Sequence, residues 1–308
     1  MQAVTERSRT TSIHPETRLG MVELTVADLD RQVDFYQRVV GLRLHRRGDG
    51  WASLGAGGED LLRLVERAGA RRVRGTTGLY HVAIRLPARR DLARVIARLL
   101  GLGHPNYPTD HVMTETTYLD DPEGNGIEIY VDTPEDGRWS FDDGTFAAWD
   151  AEGNPRSGRD PLDLDLLLRE LRPGDVLAEP LPGATRIGHV HLHVADLAAS
   201  VRFYHEVLGF DLMGIADRWG MAFVSAGGYH HHIGLNTWVG EGAPPPPEGS
   251  LGLRHFTIVA PDAAEVERLR ERLTEAGIGI ETTDQGLLLR DPSRNGLLVR
   301  SAEVARAP

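Results

Sequence analysis

The chain has 308 residues, of which 41% are hydrophobic, a composition typical of a globular protein. It contains neither cysteine nor lysine, so disulfides, thiolate nucleophiles, cysteine-ligated metals and Schiff-base lysines are excluded. A formal net charge of −11 argues against a nucleic-acid partner, because phosphate binding needs a basic surface.

The start of the chain gives no targeting signal. Its first residues, MQAVTERSRTTS, lack the apolar segment of a secretory signal peptide. Elsewhere no apolar run approaches the roughly 20 residues that a membrane-spanning helix needs. We therefore expect a cytoplasmic protein with no membrane partner, whose 13 histidines supply most of the available side-chain chemistry.

An internal repeat organises the chain. Residues 21–44 and 189–212 match at a constant offset of 168 (189 minus 21). In each copy, alternating apolar residues predict a strand, which is followed by a helix. The helices are predicted to begin after Asp28 and Asp196, a residue type that caps helix N-termini, and to end before a glycine.

A second pair of related segments follows these two copies. Residues 77–87 resemble residues 251–261, and an amphipathic helix follows each of them. Residues 117–132 and 288–302 each indicate a strand, an Asp-Pro to Asn-Gly turn and another strand. The chain thus holds four modules of one strand, one helix and two or three further strands, which we number one to four and which start near residues 20, 78, 187 and 251.

The modules divide the sequence into two halves. We predict one domain over residues 17–133, with modules one and two, and another over residues 184–303, with modules three and four. Residues 134–183 form a linker that is polar and rich in glycine and proline, with one short helix predicted at PLDLDLLLREL.

Two motifs resemble the vicinal oxygen chelate superfamily, namely HVHLHVADL…VRFYHEVLGF and YLDDPEGNGIEIY. This superfamily includes glyoxalase I, extradiol ring-cleaving dioxygenases and bleomycin-binding proteins. The segment SAGGYHHHIGLN resembles the CatE-type bacterial catechol 2,3-dioxygenases. The resemblance implies an α+β fold in which four βαβββ modules form two paired domains, whose curled mixed sheets enclose a metal cleft. Because one scaffold supports several chemistries, it is less specific for function.

In this superfamily, metal ligands come from the first strand of a module, usually a His, and from its last strand, usually a Glu. Module two offers His81 and Glu128 at these positions, and module three offers His189. Module four offers His255 but has Leu298 in place of the acid, so we interpret His255 as structural or a remnant. Only the pairing of module two with module three completes a two-His, one-carboxylate set. That set suits Fe(II), and Mn(II) suits the same ligands.

The residues alone leave alternatives open for this set. His81 fits a buried core histidine as well as a metal ligand. Glu128 lies between two isoleucines, where a carboxylate is costly unless it is paired or metal-bound. His189 shares its strand face with His191 and His193, so its assignment rests on the resemblance.

The resemblance to extradiol enzymes implies further site residues. Tyr118 would hydrogen-bond the substrate or bound oxygen, and His111 is a weaker match because the loop there is longer. Residues 230–232 are three consecutive histidines, here called the histidine run. His231 is the expected acid–base residue and His232 its rival for that role. The alternative is that the histidine run faces solvent and has no catalytic role. We assign His111, His191 and His232 to substrate binding or to support of the ligands.

These assignments predict an extradiol dioxygenase that cleaves a small aromatic diol with O2 at Fe(II), and a homo-oligomer is compatible with them. A glyoxalase-like isomerase or lyase is the first alternative. Glyoxalase I usually places a second Glu where Gly234 stands, which counts against it. A non-catalytic small-molecule-binding protein is the second alternative, and a complete ligand set argues against it.

Overall fold

The computed structural model describes residues 12–303. Module one consists of β1 (Arg18–Val26), α1 (Leu29–Phe35), β2 (Arg43–Gly48), β3 (Trp51–Gly55) and β4 (Asp60–Glu66). Module two has the same order, with β5 (Gly78–Arg85), α2 (Arg89–Gly101), β6 (Tyr107–Asp110), β7 (Thr114–Asp120) and β8 (Gly126–Asp132).

The linker is more structured than its composition indicates. It contains β9 (Gly137–Ser140), β10 (Ala147–Asp150), β11 (Pro155–Arg156), β12 (Asp160–Pro161) and the predicted short helix, α3 (Leu164–Leu168). Strands β9 to β11 form a small sheet of their own, and β12 pairs with β6.

The second half repeats the modular order. Module three consists of β13 (Arg186–His193), α4 (Leu197–Val201), β14 (Asp211–Ala216), β15 (Met221–Ser225) and β16 (Ile233–Asn236). Module four consists of β17 (Gly252–Ala260), α5 (Ala263–Glu275), β18 (Ile280–Thr283), β19 (Gly286–Arg290) and β20 (Gly296–Ser301). The predicted α+β fold of four βαβββ modules is therefore confirmed.

The repeated helices begin as the sequence predicts. The Asp28 side chain accepts a hydrogen bond from the Arg31 backbone N–H, and Asp196 accepts one from Ala199. These bonds satisfy N–H groups that have no partner within the helix. Each helix then continues into one turn of π-helix, over Tyr36–Val40 in module one and Arg202–Val207 in module three.

The two large sheets combine modules from different halves of the sequence. The eight-stranded sheet has the order β18-β19-β20-β17-β1-β4-β3-β2, so it joins module one to module four. The nine-stranded sheet has the order β12-β6-β7-β8-β5-β13-β16-β15-β14, so it joins module two to module three. This is the pairing that the count of metal ligands predicts. The boundaries 17–133 and 184–303 describe the two halves of the sequence and stay a prediction. Each sheet contains one module from the first half and one from the second.

In each half of the sequence, one equivalent hydrogen bond connects the two modules. The Tyr36 hydroxyl donates to Asp121 over 3.1 Å, and the Tyr204 hydroxyl donates to Asp291 over the same distance. Each tyrosine lies in the π-helical turn of one sheet's module, and each aspartate begins the tight turn of the other sheet's module. Since both tyrosines are fully buried, these bonds fix one sheet against the other.

One apolar cluster runs through both sheets and takes in every helix. Its helical members include Val33, Leu92, Leu167, Val201 and Leu269. Within residues 12–303, no helix is long and apolar enough to cross a membrane.

Candidate active site

Three neighbouring strands of the nine-stranded sheet carry the residues predicted to bind metal. In the sheet register, Ala83 of β5 pairs with Glu128 of β8 on one side and with His189 of β13 on the other. His81 lies two residues before Ala83, so it projects from the same face of β5. The pairing of module two with module three thus brings three residues from distant parts of the sequence together.

The donor atoms of these residues converge. His81 Nε2 lies 3.3 Å from His189 Nε2, and Glu128 Oε2 lies 3.1 Å from each of them. All three residues are buried, and within residues 12–303 they form the one group of this kind whose ligand atoms lie within 4.8 Å of each other. Two imidazoles and a buried carboxylate aimed at one point fit a divalent metal ion.

The protonation states of this group also fit a metal. Burial acts to raise the pKa of Glu128, but the charges and hydrogen bonds of His189 and His81 outweigh it and hold that pKa well below its usual range. Burial lowers the pKa of His189 to about 4, although Glu128 acts in the opposite direction. At neutral pH the site therefore presents an ionised carboxylate and a neutral imidazole, as metal binding requires.

Tyr118 and His111 lie beside this group. Tyr118 on β7 pairs directly with Glu128, and its hydroxyl is 2.8 Å from His111 Nε2. The Nδ1 atom of His111 is 2.5 Å from the Gly158 carbonyl oxygen, which can only accept a hydrogen bond. His111 therefore carries its proton on Nδ1 and accepts from the tyrosine, and burial favours this neutral form by lowering its pKa.

One side chain of the histidine run lies in the cleft wall, beside the metal group formed by His81, Glu128 and His189. The His231 ring stacks on Phe223, with centroids 4.3 Å apart and planes at 18°, and its centroid is 4.1 Å from that of His189. Burial lowers the pKa of His231 well below its usual range, so the ring is neutral. Its position beside His189 is the one that an acid–base residue would need.

His232 faces the opposite way, because consecutive side chains alternate across an extended segment. Its Nδ1 atom accepts hydrogen bonds from the Ser225 hydroxyl, over 2.9 Å, and from the Ala226 backbone N–H, over 3.2 Å. These bonds tie the histidine run to β15, and His232 is absent from the residues that line the cleft.

His230 connects His231 to a carboxylate that the sequence analysis did not identify. The Nδ1 atoms of His230 and His231 are 2.7 Å apart, and His230 Nε2 lies 3.1 Å from Asp132 Oδ1. Because a carboxylate accepts, His230 carries its proton on Nε2 and its Nδ1 accepts from His231. The Nε2 atom of His231 is thereby left without a proton and able to take one.

Further contacts hold the Asp132 carboxylate beside His230. It accepts a hydrogen bond from the Tyr229 hydroxyl over 2.9 Å, and Arg85 lies 3.4 Å from its other oxygen. Burial acts to raise its pKa, but His230 and Arg85 outweigh burial and lower it. Asp132 ends β8 and Tyr229 precedes β16, so only the pairing of the modules reveals their proximity.

His191 lies opposite His81 in the sheet and forms another part of the wall. Its ring contacts Tyr80 and Trp238, with centroid distances of 5.2 and 5.4 Å. A Cβ atom at Gly234 would lie 2.9 Å from this ring. No side chain fits at position 234 unless His191 moves, which leaves no room for the second Glu of a glyoxalase-like site.

The cleft is a cavity of about 390 Å³, a volume suited to one substituted aromatic ring. Its inner end is formed by the metal group, and its outer end is aromatic, with Tyr107, Phe146, Trp219 and Trp238. Four of the lining residues come from the linker, Trp139, Phe146, Gly158 and Arg159. These four residues lie outside the repeat, so the sequence pattern does not mark them as site residues.

The equivalent region of the eight-stranded sheet carries ion pairs in place of a ligand set. Glu23 accepts a hydrogen bond from Arg254 Nε over 2.7 Å and lies 3.5 Å from Arg63 Nε. His255 Nδ1 is 3.9 Å from the same carboxylate. With Met21 and Leu298 at the positions that correspond to His189 and Glu128, this region has no comparable ligand set.

Comparison of the sequence with known proteins gives two matches. A family model described as Glyoxalase/Bleomycin resistance protein/Dioxygenase superfamily matches residues 18–129 and 186–295, which leaves out the linker. A protein of Bacillus subtilis (strain 168) named Catechol-2,3-dioxygenase is 41% identical over 287 residues, covering 92% of this chain and 96% of that protein.

Comparison with solved structures concerns the fold alone, because the identities are low. A proposed dioxygenase from Bacillus subtilis subsp. subtilis str. 168 matches with a TM-score of 0.61 and 16% identity, over 94% of this chain and 85% of that one. Glyoxalase I from Zea mays matches with a TM-score of 0.55 and 16% identity, over 94% of each chain.

Proposed function

Since this chain belongs to the Glyoxalase/Bleomycin resistance protein/Dioxygenase superfamily, we propose that it is an extradiol dioxygenase that cleaves the ring of a catechol. The observation that carries the proposal is the convergence of His81, Glu128 and His189 at the inner end of a cavity of about 390 Å³. The name of the Bacillus subtilis relative, which matches nearly the whole chain, supports the same reaction.

His81 and His189, through their Nε2 atoms, and Glu128, through a carboxylate oxygen, would hold the metal. We propose Fe(II), and Mn(II) suits the same donors. When bound, a metal with open positions supplies the electron transfer and the shared binding point for both catechol oxygens and O2.

The protein then has to remove protons from the catechol and return one to the product. We assign this to His231 Nε2, since His230 holds the proton of His231 on Nδ1. Asp132 in turn fixes the tautomer of His230 and stabilises the positive charge that develops when His231 takes a proton. His230 and Asp132 act through His231 and are positioning residues.

The remaining residues bind and orient the ring. Tyr118, fixed by His111, lies next to Glu128 and can hydrogen-bond a catechol oxygen. The aromatic faces of Phe223 and Trp139 and the ring of His191 form walls against which a flat substrate packs. His232 lies outside the cleft lining, and its bonds are to Ser225 of β15 and to Ala226.

An oxygen electrode and a spectrophotometer test the proposal. The protein is loaded with Fe(II) without air and then mixed with catechol and O2. We expect one O2 consumed per catechol and a yellow ring-opened semialdehyde, since both oxygen atoms enter the product. Absence of O2 uptake with catechol and its alkyl derivatives, or isomerisation of a glutathione hemithioacetal instead, would overturn it.

A further inference from the structure

We propose that Arg159 forms a subsite for an anionic ring substituent, so that the preferred substrates are catechols whose side chain carries a carboxylate. This inference rests on the proposed function and adds the substrate class. Arg159 comes from the linker, is exposed, and lines the cleft beside the exposed Trp238.

The charge of Arg159 is not neutralised by a carboxylate of the protein. The cleft lining contains one arginine, Arg159, and one carboxylate, Glu128, which belongs to the metal group. In the part of the chain that the structure describes, no carboxylate lies within ion-pair distance of Arg159. By contrast, Arg156 in the same loop pairs with Asp110 over 3.1 Å and with Asp160 over 3.2 Å.

The backbone that carries Arg159 is fixed relative to the site. The carbonyl of Gly158 accepts the hydrogen bond from His111 Nδ1, and Asp160 pairs with Asp110 in the sheet. Gly158 has a φ of 70°, and a Cβ there would lie 2.6 Å from the ring of Phe146. Only glycine accommodates this close approach, which holds the loop against the cleft.

The guanidinium group lies at the aromatic mouth. Its carbon atom is 5.7 Å from the ring centroid of Trp238, a distance at which the cation is attracted to the ring face. The charge of Arg159 also acts on Tyr118 within the cleft. Burial and Glu128 raise the pKa of Tyr118, and Arg159 acts to lower it. A ring bound at the metal group would therefore extend its substituent toward a cation.

A guanidinium binds a carboxylate through two parallel hydrogen bonds, which a neutral amide of the same shape cannot reproduce. Because Arg159 is exposed at the mouth, water and salt weaken the pair. We therefore expect a preference of roughly tenfold, which corresponds to a modest charge-assisted contact.

The test compares 3-(3,4-dihydroxyphenyl)propanoate with its amide, which has nearly the same shape and no charge. Affinity is measured by calorimetry on the metal-loaded protein without O2, and kcat/KM is measured with O2. We expect the acid to bind roughly tenfold more tightly than the amide, and 0.5 M salt to reduce the difference. Arg159→Gln should remove the preference, and Arg159→Lys should keep part of it. Arg169→Gln changes an exposed linker arginine that does not line the cleft, and it should keep all of the preference.

The outcomes separate the two proposals. O2 uptake with equal affinity for acid and amide, or a preference that survives in Arg159→Gln, overturns the subsite while ring cleavage stands. A preference lost only in Arg159→Gln, without O2 uptake, supports the subsite and overturns ring cleavage.

Discussion

His231 and His230 are consecutive in the chain, and their Nδ1 atoms are 2.7 Å apart in the structure. This contact links the cleft to Asp132, whose carboxylate accepts a hydrogen bond from the other ring nitrogen of His230 over 3.1 Å. Within the histidine run, His231 is therefore the acid–base candidate, and His230 connects it to a carboxylate.

Replacing His231 by Gln removes the nitrogen that takes the catechol proton, with little change in side-chain volume. We expect kcat to fall by about 100-fold, since general acid–base groups contribute on this scale, while Fe(II) content stays at one per chain. His232→Gln is the matched control, and its kcat should stay within about threefold, because His232 points away from the cleft. The reverse pattern of rates would transfer the acid–base role to His232.

Replacing Asp132 by Asn tests the positioning of His231 through His230. An amide can present its N–H to His230 and favour the wrong tautomer, so we expect kcat to fall about 10- to 100-fold with KM and metal content unchanged. Asp132→Glu should restore part of the rate because it keeps the charge. Asp120→Asn, at the exposed end of β7, serves as control. A loss confined to KM or to folding would contradict the positioning role.

The stability of the metal-free protein should fall as the solution is acidified. Burial lowers the pKa of His232 to about 4, against about 6.5 in an unfolded chain. The unfolded state therefore binds the extra proton first, so this contribution is complete above about pH 6.5 and is lost as the pH falls toward 4. It amounts to about 3 kcal/mol at most.

Urea denaturation at pH 7.5, 6 and 5 measures this effect. His232→Gln should flatten the decline in unfolding free energy with falling pH relative to wild type, and Gly279→Ala, which removes no titrating group, serves as the control. An identical slope in His232→Gln and wild type would contradict the assignment of this proton linkage.

The lack of space around Gly234 predicts that a larger residue there destabilises the protein. A methyl group there would meet the His191 ring at 2.9 Å, so Gly234→Ala should destabilise the protein by about 1–3 kcal/mol through overpacking. It should also reduce turnover by displacing His191 within the cleft. Gly279→Ala is the control, since nothing lies within 4 Å of an added Cβ there. Equal unfolding midpoints for the two variants would show that the cleft accommodates a side chain at position 234.

The sequence predicts the fold well because the repeat is long and regular. The match between residues 21–44 and 189–212 defines the modules, and the family resemblance that it supports is confirmed. The count of ligands then selects the pairing of module two with module three, which the sheet order bears out. A strand pattern also fixes the sheet face from which a side chain projects, as for His81 and Glu128.

The sequence does not reveal contacts made between segments without a common pattern. Asp132 is one polar residue at a strand end, and only the folded sheet brings it to His230. Trp139 and Arg159 lie in a stretch whose composition indicates a simple linker, yet the short strands there place both beside the cleft. Loop positions of this kind depend on tertiary packing, which periodicity does not encode.

The placement of the metal is tested by comparing Glu128→Gln, the isosteric change at the proposed site, with His255→Gln, a change at the histidine of the other sheet that corresponds to His81. Fe(II) binding is measured by equilibrium dialysis, and O2 uptake with catechol is measured on the same samples. We predict that Glu128→Gln loses about 100-fold in metal affinity and nearly all turnover, while His255→Gln matches wild type in both. Retention of metal by Glu128→Gln together with its loss from His255→Gln would contradict the placement of the reaction at His81, Glu128 and His189.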